Sequence, residues 1–206
     1  MQALLIVDIQ NDFLPGGALP VPRGAEVIDP ANRLQDAFDL VVATQDWHPR
    51  DHGSFAANHP GKQPGDIIDL YGISQVLWPI HCVQNTRGAA FAPGLRMERF
   101  AAVFRKGVDP TVDSYSGFFD NGHRRSTGLG EYLRNRGIEE ISIAGLTTDY
   151  CVKFSALDAR TLGFRTTIIE DACRGIGLHP GDIEAAVNEM RAAGASIVRT
   201  GDVICK

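Results

Sequence analysis

Cys151 is the side chain in this sequence best placed to act as a nucleophile. It follows Gly145-Leu146-Thr147-Thr148-Asp149-Tyr150, where an aliphatic run gives way to good helix N-cap residues. That places the thiol in the first turn of a predicted helix, Thr148–Leu162. There the unpaired backbone N–H groups and the helix dipole favour thiolate and can hold an oxyanion. The competing reading is a small apolar cysteine in a core. Asp8 closes the aliphatic run Ala3–Val7. Burial there raises a carboxylate's pKa and fits it to take a proton from a thiol and return it to a leaving group. A carboxylate capping a turn is the alternative. Lys106, after Val103-Phe104-Arg105, can pair with Asp8, hold it ionised and add positive charge near the sulfur; taken alone it reads as a solvated strand end. A cysteine–carboxylate–lysine trio lacks a histidine base, which separates it from papain-like proteases.

A second constellation has the character of a metal site. Asp46 and His48 are separated by one residue at the end of an aliphatic run, so both side chains point to the same side. His81 is the candidate third ligand. One carboxylate and two imidazoles suit a single divalent ion, Zn²⁺ first and Fe²⁺ or Mn²⁺ as alternatives, with open positions for water or substrate. The Asp-x-His spacing is short and also arises by chance, and a lone histidine is often a hydrogen-bonded core residue. His52 and His59 read as supporting or surface residues. Trp47 faces away from the ligands, and Cys82 points elsewhere if its segment is extended. Phe13 and Trp78 lie in irregular, proline-bearing segments and could wall a flat aromatic ring; core packing is the other reading.

These residues need a scaffold that brings them together. Short aliphatic runs predict strands at Ala3–Asp8, Leu40–Asp46, Glu140–Ala144, Arg165–Glu170 and Ala195–Arg199, with a weaker one at Ala101–Lys106. Helical patterns fall at Glu26–Phe38, Leu129–Arg136, Thr148–Leu162 and Gly181–Ala193. Continuous Val/Ile/Leu strands alternating with helices predict an α/β fold, a three-layer sandwich around a mostly parallel central sheet of about six strands. Stretches 15–24 and 49–79 are too long for simple connections and read as functional loops. In open parallel sheets ligands bind beyond the carboxyl ends of the strands. Asp8, Asp46, Lys106 and the Cys151 loop all fall there.

Composition sets the outer bounds. The chain has 206 residues, 44% of them hydrophobic, and 20 Lys+Arg against 25 Asp+Glu give a formal charge of −5. Basic residues are scattered, so neither nucleic acid nor an anionic membrane is an expected partner. No run matches the length of a signal peptide or a spanning helix. The expectation is one domain over 1–206, in the cytoplasm, acting on something small, with a homo-oligomer left open. Cys82, Cys151, Cys173 and Cys205 show no CxxC spacing and read as reduced thiols.

Taken together, Asp8-Ile9-Gln10-Asn11-Asp12-Phe13, Asp46-Trp47-His48-Pro49, Trp78-Pro79-Ile80-His81-Cys82-Val83 and Thr147-Thr148-Asp149-Tyr150-Cys151-Val152 resemble the nicotinamidases of the isochorismatase-like cysteine hydrolase superfamily. The resemblance runs from about residue 1 to about residue 200, with the motifs in the expected order. It implies the isochorismatase-like hydrolase fold and conversion of nicotinamide to nicotinate and ammonia in NAD salvage, with pyrazinamide as a further substrate. It also implies Cys151 as nucleophile, Asp8 as proton shuttle and Lys106 as its electrostatic partner. A cis peptide at Leu146–Thr147 and an oxyanion hole from the Thr147 and Cys151 N–H groups follow from it, as do Phe13 and Trp78 around the pyridine ring. Asp46, His48 and His81 become the ligands of a metal that meets the ring nitrogen, with Ser54 and His52 assisting through water. The runner-up is a sister amidase acting on a carbamoyl or biuret-like substrate without the metal set. A metal- or thiol-binding regulatory protein and a vinyl-ether hydrolase are more distant rivals.

Overall fold

The computed structural model describes residues 1–204, and Cys205 lies outside them. In chain order the elements are β1 (Gln2–Val7), α1 (Ile28–Gln35), β2 (Leu40–Asp46), β3 (Ile67–Leu70), β4 (Ile73–Val76), β5 (Phe100–Lys106), α2 (Leu129–Arg134), β6 (Glu140–Leu146), α3 (Lys153–Thr161), β7 (Arg165–Arg174), α4 (Asp182–Ala192), β8 (Ser196–Val198) and α5 (Thr200–Ile204). The main sheet has six strands in the order β5-β2-β1-β6-β7-β8, and every neighbouring pair is parallel.

Strand periodicity explains the layers. Ala3, Leu5 and Val7 point into a core shared with Leu129 and Leu133 of α2, Ala156 and Ala159 of α3 and Met190 of α4. Leu4 and Ile6 point the other way, onto Ala31 and Leu34 of α1, with Val203 and Ile204 of α5 at the margin. A strand buried on both faces has no polar positions, which is why β1 reads as an unbroken aliphatic run. β5 sits at the sheet edge and alternates half-buried with exposed residues up to Lys106, hence its weaker signal in the sequence.

Several expectations change in detail. The helix expected over 26–38 is a 3-10 turn at Gly24–Val27 followed by the shorter α1. Pro30 sits in the first turn of α1, where its missing N–H removes no helix bond. β7 runs on to Arg174, with an irregularity that pairs Gly145 with Cys173. The stretch 49–79 is not wholly irregular: β3 and β4 form an antiparallel hairpin around Tyr71-Gly72, both with positive φ. That two-residue turn is the kind that matches strand twist. α5 was absent from the sequence reading; it is capped by Asp171, which accepts from the Thr200 N–H at 2.7 Å. Among the described residues no helix is long and apolar enough to cross a membrane.

Candidate active site

The expected strand Ala3–Asp8 ends one residue early, and this places the first functional group. Asp8 has a left-handed φ of 47° and leaves the ladder, and its carboxylate is fully buried. Thr44 donates its hydroxyl to Asp8 Oδ1 at 2.7 Å, and Lys106 Nζ stands 2.9 Å from Oδ2 as an ion pair. Lys106 is the last residue of β5 and is itself buried. Its ammonium also donates to Asp46 Oδ1 at 2.8 Å, to the Ser114 carbonyl at 3.0 Å and to Cys151 Sγ at 3.4 Å. The catalytic candidates therefore meet around one nitrogen, and Asp46 joins them, which the sequence reading did not anticipate.

Electrostatics follow from burial. Desolvation raises the Asp8 pKa above its ordinary value, with Lys106 pulling against it. Lys106 loses hydration too, but Asp46, Asp8 and the Cys151 sulfur hold its proton, so its pKa rises. The helix dipole was expected to favour thiolate, and burial works against it. Cys151 lies not in an α-helical first turn but in a wide π turn, Thr148–Val152, ahead of α3. Burial pushes its thiol well up, opposed by Lys106 and reinforced by Asp8. A thiol that keeps its proton until a base takes it pairs naturally with a carboxylate of raised proton affinity. The Leu146–Thr147 peptide is cis, and Thr147 and Cys151 line the same cavity.

Asp46 and His48 gather as their spacing implied, the candidate third ligand His81 joins them, and each is buried. His48 Nε2 lies 3.0 Å and His81 Nε2 3.4 Å from Asp46 Oδ2. The other ring nitrogens are tied to backbone carbonyls: His48 Nδ1 to Gly107 at 2.9 Å and His81 Nδ1 to Pro79 at 2.8 Å. Such outer bonds fix the tautomer and turn both Nε2 atoms to one point, as metal-binding histidines require. Burial by itself would raise Asp46, yet His48 and Lys106 hold it well below the ordinary carboxylate range. One carboxylate oxygen and two imidazole nitrogens facing one point, all buried, form a donor set that a divalent cation fits.

His52 lies against His48, ring centroids 4.4 Å apart, and Ser54 Oγ meets His52 Nδ1 at 2.7 Å. Burial lowers the His52 pKa to about 4, so the ring is neutral, and its Nε2 is buried with no partner among the described residues. His48, His52 and Asp113 form a second close group of donor atoms. His59 bonds the Gly53 carbonyl. Cys82 is turned away into the core, with a positive φ, and Trp47 carries Arg105 over its ring, away from the ligands.

Phe13 and Trp78 line the cavity beside Cys151, His81 and Asp46. Leu19, Asp113, Tyr115, Tyr150 and Ile176 also line it and were missed. Trp78 Nε1 and Gln75 Nε2 both donate to the Tyr115 hydroxyl oxygen, at 3.2 and 2.9 Å, and Tyr150 packs edge-on to Trp78 at 4.9 Å. The signal for Asp113 and Tyr115 was loop length, since the connection from Gly107 to Gly128 has no helix or strand of its own. Leu19 lies in the 15–24 stretch that loop length had marked, and Ile176 had no signal.

Comparison with known proteins bears on this geometry. An isochorismatase-domain profile matches residues 2–202. The nicotinamidase of Escherichia coli (strain K12) is 51% identical over 205 residues, covering 98% of this chain and 96% of that protein. The structure of an Acinetobacter nicotinamidase/pyrazinamidase superposes with a TM-score of 0.95 at 47% identity, covering 98% of this chain and 97% of its own. A Pyrococcus horikoshii pyrazinamidase solved in complex with zinc superposes with a TM-score of 0.79 at 39% identity, covering 96% and 98%.

Proposed function

The chain belongs to the isochorismatase-domain family, and from that premise we propose that Cys151, Asp8 and Lys106 carry out its amide hydrolysis through a thioester. The protein is an amidohydrolase that converts nicotinamide to nicotinate and ammonia, a reaction of NAD salvage. It has the α/β three-layer fold of that family. Pyrazinamide, the same carboxamide on a different azine ring, is proposed as a second substrate. The profile match over 2–202 supports reading the chain as one domain.

The observation that carries the residue assignment is the position of Lys106 Nζ, 3.4 Å from Cys151 Sγ and 2.9 Å from Asp8 Oδ2. The ring lies between Phe13 and Trp78. Asp8 takes the thiol proton as sulfur attacks the amide carbon, and the Thr147 and Cys151 N–H groups receive the oxyanion. The C–N bond then breaks, Asp8 passes its proton to the nitrogen, and ammonia leaves a nicotinoyl thioester. Water adds to the thioester with one proton going to Asp8; the C–S bond breaks, the proton on Asp8 returns to sulfur, and the released acid gives its own proton to solvent to leave nicotinate. Lys106 stays charged throughout and offsets the negative charge that passes between Asp8 and sulfur.

A divalent metal centre is supported by the buried Asp46, His48 and His81 group and by the zinc in a related pyrazinamidase. For this chain we assign Zn²⁺ first, with Asp46, His48 and His81 as ligands and His52 and Ser54 supporting them. When bound, such an ion supplies a Lewis-acidic anchor for the pyridine nitrogen and so orients the ring. The test is to incubate purified Cys151→Ala with nicotinamide and follow ammonia, with thermal unfolding as the folding control. Loss of release in a folded protein is the expected result; substantial remaining turnover removes sulfur from the mechanism.

A further inference from the structure

We propose that Gln10 is a positioning residue for the metal centre: its side-chain amide stands in for a neighbouring strand beside Asp46. The inference rests on the metal-centre reading above. β1 and β2 pair in parallel only as far as Ile6 and Ala43. Beyond Val7 the chain turns through the left-handed Asp8, so no strand residue of β1 reaches Asp46, the last residue of β2.

Gln10 fills that gap. It is fully buried. Its Oε1 accepts the Asp46 N–H at 2.8 Å, and its Nε2 donates to the Asp46 carbonyl at 2.8 Å and to the Ala89 carbonyl at 2.8 Å. Both amide protons are thereby used, and the oxygen has its donor. The N–H and C=O of one strand residue point to the same side, so one planar amide can meet both, as successive peptide groups of a parallel neighbour do. On the opposite side Asp46 pairs with Lys106 of β5.

The end of β2 is thus held on both flanks, by the Gln10 side chain on the Asp46 backbone and by the Lys106 carbonyl of β5, which accepts the next N–H, that of Trp47, at 2.9 Å. This matters because the Asp46 carboxylate has two tasks, one oxygen toward Lys106 and the other toward His48 and His81. A carboxylate serving two partners tolerates little rotation of its main chain. The cause lies two residues upstream of Gln10: Asp8 leaves the ladder to meet Thr44 and Lys106, and Gln10 restores the bonds which that departure removes.

The experiment titrates Zn²⁺ into chelator-stripped protein, in competition with a chromophoric chelator. Gln10→Glu keeps the shape but loses the donor, and is expected to weaken zinc binding by about 10- to 100-fold, as for other outer partners of metal ligands. Gln45→Ala is the control: Gln45 Nε2 bonds the same Ala89 carbonyl at 2.9 Å without touching the Asp46 backbone. It should bind zinc like the unaltered protein. Should Gln10→Glu not fold, Gln10→Asn, one methylene too short to span both groups, gives the same comparison. Zinc binding unchanged in the folded Gln10 variant, or weakened as much by Gln45→Ala, overturns the proposal. If the unaltered protein takes up no zinc, the metal-centre reading falls and this inference with it, while its release of ammonia from nicotinamide reports the activity separately.

Discussion

Single residues divide the site into two coupled halves. Thr44 donates to Asp8 Oδ1 and lowers the proton affinity that burial raises. In the proposed mechanism Asp8 must be ionised to take the thiol proton, so activity is expected to fail as pH drops through its folded pKa, which burial raises above the ordinary 3.8. Thr44→Val removes the bond, raises that pKa further and is expected to move the acid limb of the kcat/KM profile to higher pH; an unmoved limb would detach Asp8 from it. Asp46 cannot isolate the metal's role, because it also holds Lys106. His81 pairs with Asp46 and not with Lys106 among the described residues, so on the proposed ligand set His81→Ala is expected to lose the ion and raise KM for nicotinamide by about tenfold or more with a smaller fall in kcat. Metal analysis beside steady-state kinetics decides it. Asp46→Ala should raise KM and lower kcat together, because it takes a partner from Lys106 as well. The Asp8–Lys106 pairing was legible from strand ends, whereas the link from Asp46 to Lys106 was not, because adjacency of strand ends follows from strand order.

At the level of elements, the aliphatic runs located each strand of the main sheet, and its ends shifted where side chains rather than propensity decide them. Asp8 left its strand to reach Thr44 and Lys106, and the Cys151 turn widened before α3 began. The β3–β4 hairpin was masked by its surface position: Ile67, Asp69 and Ser74 face outward, so the run lacked the continuous apolar character of a core strand. The turn after β5 makes its own prediction. Gly107 has a φ of 64°, and a Cβ there would collide with the His48 ring that its carbonyl orients. Gly107→Ala is expected to lower bound metal per chain, measured by elemental analysis of folded protein; full metal content would show that the ring can shift at no cost.

Across the whole molecule, the layered α/β plan was readable because buried parallel strands leave an unbroken apolar signature. The cavity lining was not, since it draws Leu19, Asp113, Tyr115 and Ile176 from separate connections. Phe118 ties one such connection to the core: fully buried, it packs in the layer of α2 and α3, three residues beyond Tyr115. Phe118→Ala is expected to cost about 3–5 kcal/mol of unfolding free energy, read by urea titration. A loss far smaller would mean that the loop anchors elsewhere.

The bridge that Lys106 makes between Asp8 and Asp46 has a consequence for anyone redesigning this scaffold. Replacing Asp46, the carboxylate proposed to hold the ion, would also take one of two counter-anions from the buried Lys106 ammonium. An ion-free descendant would have to supply a fresh acid at that strand end, so the two chemistries are inherited as one unit.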